Sequence, residues 1–248
     1  MNVYTVAIQK GGTGKTTTAA ILAQAAAHEG KKVLAIDLEP QGNYSFALAA
    51  NKKKPGSYEL LNGTPAAELI QHSPQGIDVI SGNRDLDTVT SGRGTARRLS
   101  KALAPIRDSY DMIIIDTPPG GGELQYNALF AADRLIIPLL ADAYTLDSFY
   151  DTVNEITQLQ KSNPQLKTAG VLFTRFPAHR TNFNTAMREA LEQSAAAAGI
   201  PFLGIVREKI TIQEAAGLQL SLFDYAPASN NAVIDYLNVY NNIVAQEV

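Results

Sequence analysis

Lys10-Gly11-Gly12-Thr13-Gly14-Lys15-Thr16-Thr17 follows directly on the apolar run Val3-Tyr4-Thr5-Val6-Ala7-Ile8 and opens an alanine-rich helical pattern over 16–29. A glycine-rich turn between a strand and a helix can aim its backbone N–H groups at an anion, and the helix adds the positive end of its dipole. With Lys15 able to reach β- and γ-phosphate oxygens and the Thr16 hydroxyl placed to ligate Mg²⁺, the segment predicts a site for a nucleoside triphosphate with Mg²⁺. The common form of such a loop has glycine five places before Gly14. This chain has Gln9 there, followed by a second lysine, Lys10.

Working outward, short β-branched runs alternate with longer helical patterns. Strands are expected over 3–8, 32–37, 77–80, 112–115, 135–139, 170–174 and 202–206. Helices are expected over 16–29, 93–107, 147–160, 182–198 and 232–244, with a short helix over 58–70 broken at Gly63-Thr64-Pro65. This alternation predicts an α/β fold, a doubly wound, mostly parallel sheet flanked by helices, in which ligands sit beyond the carboxyl ends of the strands. The 248 residues suffice for one large domain, and a single domain over 1–248 is expected.

Two acidic clusters fall at such strand ends. Asp37-Leu38-Glu39-Pro40-Gln41-Gly42-Asn43 closes the second strand, and carboxylates two residues apart on extended backbone point the same way. Asp37 is expected to hold the water shell of Mg²⁺, and Glu39 to orient or deprotonate an attacking water. Met112-Ile113-Ile114-Ile115 is a strand buried on both faces that delivers Asp116 to the same edge as a second Mg²⁺-associated acid. The following Pro118-Pro119-Gly120-Gly121-Gly122 suits a loop that changes shape with the γ-phosphate.

A lysine before the glycine pair, here Lys10, marks the deviant Walker A form of the phosphate loop, so the chain resembles the ParA/MinD family of dimerising P-loop ATPases. The stretch from Asp37 to Asn43 is similar to that family's first switch, Asp-x-Asp-Pro-Gln-Gly-Asn, with Glu39 in place of the second Asp. The carboxylate is one methylene further out, and displacing an in-line water alters rate strongly. Ala141-Asp142-Ala143-Tyr144-Thr145-Leu146-Asp147, Val171-Leu172-Phe173-Thr174, Arg207-Glu208-Lys209-Ile210 and Leu222-Phe223-Asp224-Tyr225 resemble later segments of the ParA-like, Soj-like branch, the last two its late loop and strand.

The resemblance implies ATP and Mg²⁺ as cofactors, with Lys10, Lys15 and Glu39 as catalytic residues. It assigns residues Lys10, Gly11, Gly12, Thr13, Gly14, Lys15, Thr16 and Thr17 to the phosphates, Val206, Arg207 and Glu208 to the adenine, and Thr16, Asp37 and Asp116 to the metal. It further implies that Lys10 crosses a dimer interface to the partner's nucleotide, as an arginine finger does, so that ATP binding forms a homodimer. The ATP state of such relatives binds nonspecific DNA through late basic residues, matched here by Arg175, Arg180, Arg188, Arg207 and Lys209, and a ParB-like centromere-binding protein stimulates slow hydrolysis and release.

Other features narrow the class. The chain has no cysteine, which removes disulfide scaffolds, iron–sulfur carriers and thiol chemistry. Its net charge of −3 supplies no global attraction to DNA or anionic lipid, so any such binding is local. Asp235-Tyr236-Leu237-Asn238-Val239-Tyr240-Asn241-Asn242-Ile243-Val244 carries no lysine or arginine, against a membrane-cycling MinD-type anchor. A metabolic ligase such as dethiobiotin synthetase would share the loop but not Lys10 with the Pro-Gln-Gly-Asn switch. A cytoplasmic setting is expected, nucleoid-associated in the ATP state, and no N-terminal helix-turn-helix domain. Lys52-Lys53-Lys54 and Arg93, Arg97, Arg98 and Lys101 read as solvated surface. The nearest rival is a cargo-positioning or regulatory ATPase of the same family acting through a protein partner.

Overall fold

The computed structural model describes residues 2–92, 94–177 and 181–246. Its eight strands are β1 (Asn2–Val6), β2 (Val33–Asp37), β3 (Gln71–His72), β4 (Asp78–Ile80), β5 (Met112–Asp116), β6 (Arg134–Leu140), β7 (Lys167–Phe176) and β8 (Phe202–Arg207). They form one sheet in the order β3-β4-β2-β5-β1-β6-β7-β8, parallel throughout except for the short antiparallel edge strand β3. The expected α/β class and mostly parallel sheet are therefore observed.

The helices are α1 (Lys15–His28), α2 (Asn43–Ala47), α3 (Ser57–Leu61), α4 (Ala66–Leu69), α5 (Arg98–Leu103), α6 (Glu123–Ala131), α7 (Thr145–Gln160), α8 (Asn182–Ala197), α9 (Ile210–Gly217), α10 (Leu222–Tyr225) and α11 (Asn231–Val244). Side chains of α1, α2, α10 and α11 share one core layer with one face of the sheet, while α3 to α8 contribute to the layer on the other face. Both faces of the central strands are thus covered, which is why Met112-Ile113-Ile114-Ile115 is continuously apolar rather than alternating. Phe149 and Phe173 are fully buried in the second layer, and truncating either to Ala would cost about 3–5 kcal/mol.

Helix α1 is buried from Thr18 to Ala26, and its alanines let it lie close to the sheet beside α11. Val233, Tyr236, Val239, Tyr240 and Ile243 of α11 are buried in that layer, while Ile234 is exposed. No helix among the described residues is long and apolar enough to cross a membrane.

Several boundaries differ from the sequence expectation. The helix expected over 93–107 is a 3-10 turn (Thr95–Arg97), then α5, then a second 3-10 turn (Arg107–Ser109). The segment 58–70 is two separate helices, α3 and α4, divided at the glycine–proline break. Of the late segments, the one expected as a loop is the end of β8, a two-residue connection at 208–209 and then α9, and the one expected as a strand is helix α10. Helix α6 was not expected: Leu124, Gln125, Asn127, Ala128 and Leu129 are all buried, so polar and apolar residues alternate without a helical stripe.

Side-chain amides, of which only Gln24 is buried, tie the α1–α2 side together. Gln75 Nε2 donates to Ala47 O (2.8 Å) and Gln219 O (2.9 Å), Gln24 Nε2 donates to Gln75 Oε1 (2.9 Å), and Gln219 Nε2 donates to Phe46 O (3.0 Å). Gln219 itself sits at a positive φ of 57°, a conformation non-glycine residues adopt only when the surroundings hold them there.

Candidate functional site

The carboxyl edge of the central strands gathers the acidic residues. In the parallel ladders Asp116 is in register with Asp37 on β2 and with Val6 on β1, so two carboxylates lie on one rung beside the loop that leaves β1. Both side chains are fully buried. Asp37 is held by Ser45, whose Oγ (2.6 Å) and backbone N (2.8 Å) donate to Oδ2, and by the Glu39 backbone N, which donates to Oδ1 at 2.9 Å. Burial nevertheless pushes Asp37 up to about 6, against the lowering by these donors. Asp116 is raised well above its ordinary value by burial and by the Asp37 charge, with the Thr16 hydroxyl opposing.

The phosphate loop arches over this rung. Gly12 and Gly14 have φ of 74° and 84°, and a Cβ on Gly14 would stand 3.3 Å from Thr174 Oγ1 at the end of β7. Both positions require glycine. Thr174 Oγ1 in turn donates to Thr13 O at 2.7 Å and fixes the loop's far side, a support that sequence reading missed. Gly14 supplies no side-chain cap to α1, so the first N–H groups of that helix remain available to an anion, as do the exposed Gly11 and Gly12.

Lys15 lies in the cradle with Nζ 3.1 Å from Lys10 O. The residue is 6 % exposed, and burial lowers its pKa while Asp116 and Glu39 pull it back up. Thr16 Oγ1 donates to Asp116 Oδ2 at 2.6 Å, and Asp116 Oδ1 is buried with no hydrogen-bond partner. An ionisable oxygen without a partner beside a hydroxyl and a second carboxylate is the donor set of a hard, oxygen-preferring cation that takes its remaining ligands from water and phosphate. These residues therefore fit Mg²⁺. Among the described residues there is no cluster of three or more His, Cys, Asp or Glu that would make an all-protein metal cage.

Glu39 is half-buried beside the loop, its Oε1 accepting only a long contact, 3.4 Å, from Gln41 N. Lys10 is engaged by the segment after β6, with Nζ 2.6 Å from Asp142 Oδ2 and 5.7 Å from the Tyr144 ring centre. Gln9, in place of the usual glycine, donates from Nε2 to Glu155 Oε2 on α7 at 3.1 Å, while its carbonyl accepts from Gly120 N at 2.8 Å.

Val206, Arg207 and Glu208 line a small cleft with Gly14, Thr17, Thr174, Arg175 and Lys209, so the residues expected at the base do adjoin the phosphate loop. The cations expected at DNA are differently disposed. Arg207 makes a bidentate pair with Asp235 (2.7 and 2.9 Å), Arg175 pairs with Glu208 at 3.2 Å, and Arg188 with Glu192 at 2.7 Å. Lys209 has no ion pair among the described residues, and Arg180 and Arg93 lie outside them. Ser45, Thr174 and Asp142 are the contributors that sequence reading did not assign; only the helix start after Asn43 could have flagged Ser45.

Comparison with known proteins agrees with this geometry. The family described as "AAA domain" matches residues 1–168. The chain is 32 % identical to the chromosome-partitioning ATPase Soj of Thermus thermophilus over 233 residues, covering 92 % of this chain and 89 % of that one. It is 31 % identical to the chromosome partitioning protein ParA of Caulobacter vibrioides over 261 aligned positions, covering 100 % and 95 %. The chain belongs to the ParA/MinD family. It is a Soj-like P-loop ATPase within that family, and the family's ligand pair is ATP with Mg²⁺. One similar solved structure is cobyrinic acid a,c-diamide synthase of Mycobacterium smegmatis with a bound ATP analogue and magnesium. It is 26 % identical, with a TM-score of 0.82 over 100 % of this chain and 96 % of that one. The same fold thus also occurs in a protein named for metabolic synthesis.

Proposed function

We propose that this chain is an ATP-dependent dimerising partition ATPase that binds nonspecific DNA in its ATP state and is released on hydrolysis, in plasmid or chromosome segregation. The observation that carries this function is the rung of Asp37 and Asp116 under a loop bearing both Lys10 and Lys15. Thr16, Asp37 and Asp116 would hold Mg²⁺, directly or through its waters, and the bound ion would neutralise charge developing on the phosphates. Lys15 and the N–H groups from Gly11 to Thr17 bind and orient the phosphate chain, and Val206, Arg207 and Glu208 adjoin the base. Glu39 positions a water in line with the γ-phosphate and takes up its proton, and Lys10 acts across the dimer on the partner's nucleotide. Turnover is slow alone and rises with a ParB-like centromere-binding partner. The protein works in the cytoplasm, on the nucleoid when ATP-bound.

The test is sedimentation and turnover with ATP for three proteins: the native chain, Lys15→Ala and Lys10→Ala. Lys15→Ala is expected to lose both ATP-dependent dimerisation and hydrolysis, and Lys10→Ala to lose the dimer-linked activity preferentially. Unchanged dimerisation and turnover in both variants would sink the assignment.

One observation favours a second reading. Arg175, Arg188 and Arg207 are each neutralised by a carboxylate, which suits a cargo-positioning or regulatory ATPase that works through a protein partner without DNA. Binding to nonspecific duplex DNA with no nucleotide, ADP and ATP separates the two. Absence of binding in every state, with ATP-driven dimerisation intact, selects the protein partner.

A further inference from the structure

Lys52, Lys53 and Lys54 are exposed consecutive lysines, and the turn that carries them is built rather than loose. Asn51 Oδ1 accepts from Lys53 N at 3.0 Å, and Asn51 O accepts from Lys54 N at 3.2 Å. Gln71 clamps Asn51 from the sheet edge, accepting from its N (3.0 Å) and donating to its O (3.2 Å). Lys53 and Lys54 have no ion pair among the described residues, in contrast to Arg175, Arg188 and Arg207. A rigid turn holding two uncompensated ammonium groups in water keeps their full charge for a polyanion and spends little ordering entropy on meeting it.

Lys52 ties the same turn to the switch that follows Asp37. Its Nζ donates to Gln41 O at 2.9 Å and lies 5.9 Å from the Phe46 ring centre, and its Cδ lies only 2.4 Å from where a Cβ on Gly42 would stand. Any movement of Gln41 and Gly42 with the γ-phosphate therefore moves the base of the lysine turn. Glu39 and Asp87 line the groove together with Lys52 and Arg84, so the charges there offset one another and the outer lysines carry the uncompensated charge.

We infer that Lys53 and Lys54 form a contact for the phosphate backbone of duplex DNA, with Lys52 making its presentation dependent on the nucleotide. The inference rests on the DNA-binding function proposed above and relocates the contact from the late arginines to the turn over 51–54. Phosphate contacts release counterions, at about 0.9 in the slope of log affinity against log salt for each contact. Two lysines lost from one or both subunits of a dimer lower that slope by about 2 to 4.

The experiment is anisotropy of a labelled random-sequence duplex across a KCl series, using the full chain with ATP and Mg²⁺, with melting curves to confirm folding. The variants are Lys53→Gln/Lys54→Gln, Arg188→Gln and Lys52→Met. The double variant is expected to lower the slope by that amount and Arg188→Gln to leave it unchanged. Lys52→Met is expected to shrink the ratio of affinities with ATP and ADP. A native slope in the double variant overturns the lysine contact while leaving DNA binding standing, and a native ATP-to-ADP ratio in Lys52→Met overturns the coupling. No DNA binding by the native chain in any nucleotide state, with ATP-driven dimerisation intact, overturns both this contact and the DNA-binding function beneath it.

Discussion

Lys10 Nζ rests 2.6 Å from Asp142 Oδ2, so the loop lysine is held by its own subunit. Both side chains are about one-third exposed, and an ion pair in such a setting contributes at most about 1 kcal/mol. A hold that weak can be released by nucleotide and a partner subunit. Asp142→Asn keeps an oxygen for Tyr144 N, which Asp142 Oδ1 now accepts at 2.9 Å, while removing the charge. The expected outcome is a melting temperature close to native and ATP-dependent dimerisation at lower protein concentration, checked by sedimentation. A higher concentration requirement would show that the pair promotes rather than restrains dimerisation.

Ser45 supplies two of the donors on Asp37 Oδ2, and its Oγ also accepts from Gly82 N at 3.0 Å. Ser45→Ala leaves the backbone donor but strands Gly82 N, at a cost of about 1–3 kcal/mol. Because a donor to the ionised form is lost, Asp37 rises further. Thermal melting should report the stability loss, and titration with Mg²⁺ should show its binding displaced to higher pH.

The raised Asp37 fixes the sign of a pH dependence. Its folded value, about 6, lies above the model-peptide 3.8, so the folded state binds the proton more tightly than the unfolded chain. The stability it contributes is full below the unfolded value and is lost as pH rises through about 6. Cation binding needs the ionised form and runs the opposite way, strengthening across the same window. Melting of native protein and Asp37→Asn from pH 4 to 8, without nucleotide, should show the native protein losing stability relative to the variant as pH rises. A constant difference across that range would remove Asp37 as the responsible group.

Glu39 is placed beside Lys15 and Asp116 without a strong hydrogen bond of its own, as a group that must hold a water would be. Glu39→Gln is expected to lower turnover by about 100-fold or more while leaving ATP-dependent dimerisation in place. Single-turnover kinetics beside sedimentation separates the two. Loss of dimerisation would instead make Glu39 a structural element of the switch.

Arg207 has become a structural arginine. Its guanidinium and backbone N both donate to Asp235, which is 6 % exposed on α11. Arg207→Ala strands that carboxylate and is expected to cost about 1–3 kcal/mol, visible as a lower denaturant midpoint. Lys209, without an ion pair among the described residues, is the sounder probe of the late basic cluster.

The nucleotide end of the molecule was legible because its signals are local. Gly12, Gly14, Lys15 and Thr16 are adjacent, Asp37 and Asp116 each end a strand, and parallel pairing brings those ends to one rung. What could not be read joins distant segments: Lys10 meets Asp142 across 132 positions, and Thr174 reaches Thr13 across 161. The arginines illustrate the same limit, because their basicity is visible in the sequence while Asp235, Glu208 and Glu192 as partners are not all visible. Helix α6 escaped for a different reason, since Gln125 and Asn127 are buried with Leu124 and Leu129 and erase the amphipathic stripe.

The amide belt through Gln24, Gln75 and Gln219 has a dynamic consequence. Helix α2 follows the acidic switch, the segment around Gln219 follows the base-side helix α9, and Gln75 bonds to both. Outward movement of either segment would break a bond to the other, including the direct one from Gln219 Nε2 to Phe46 O, so local opening of α2 and of the segment around Gln219 is expected to be coupled.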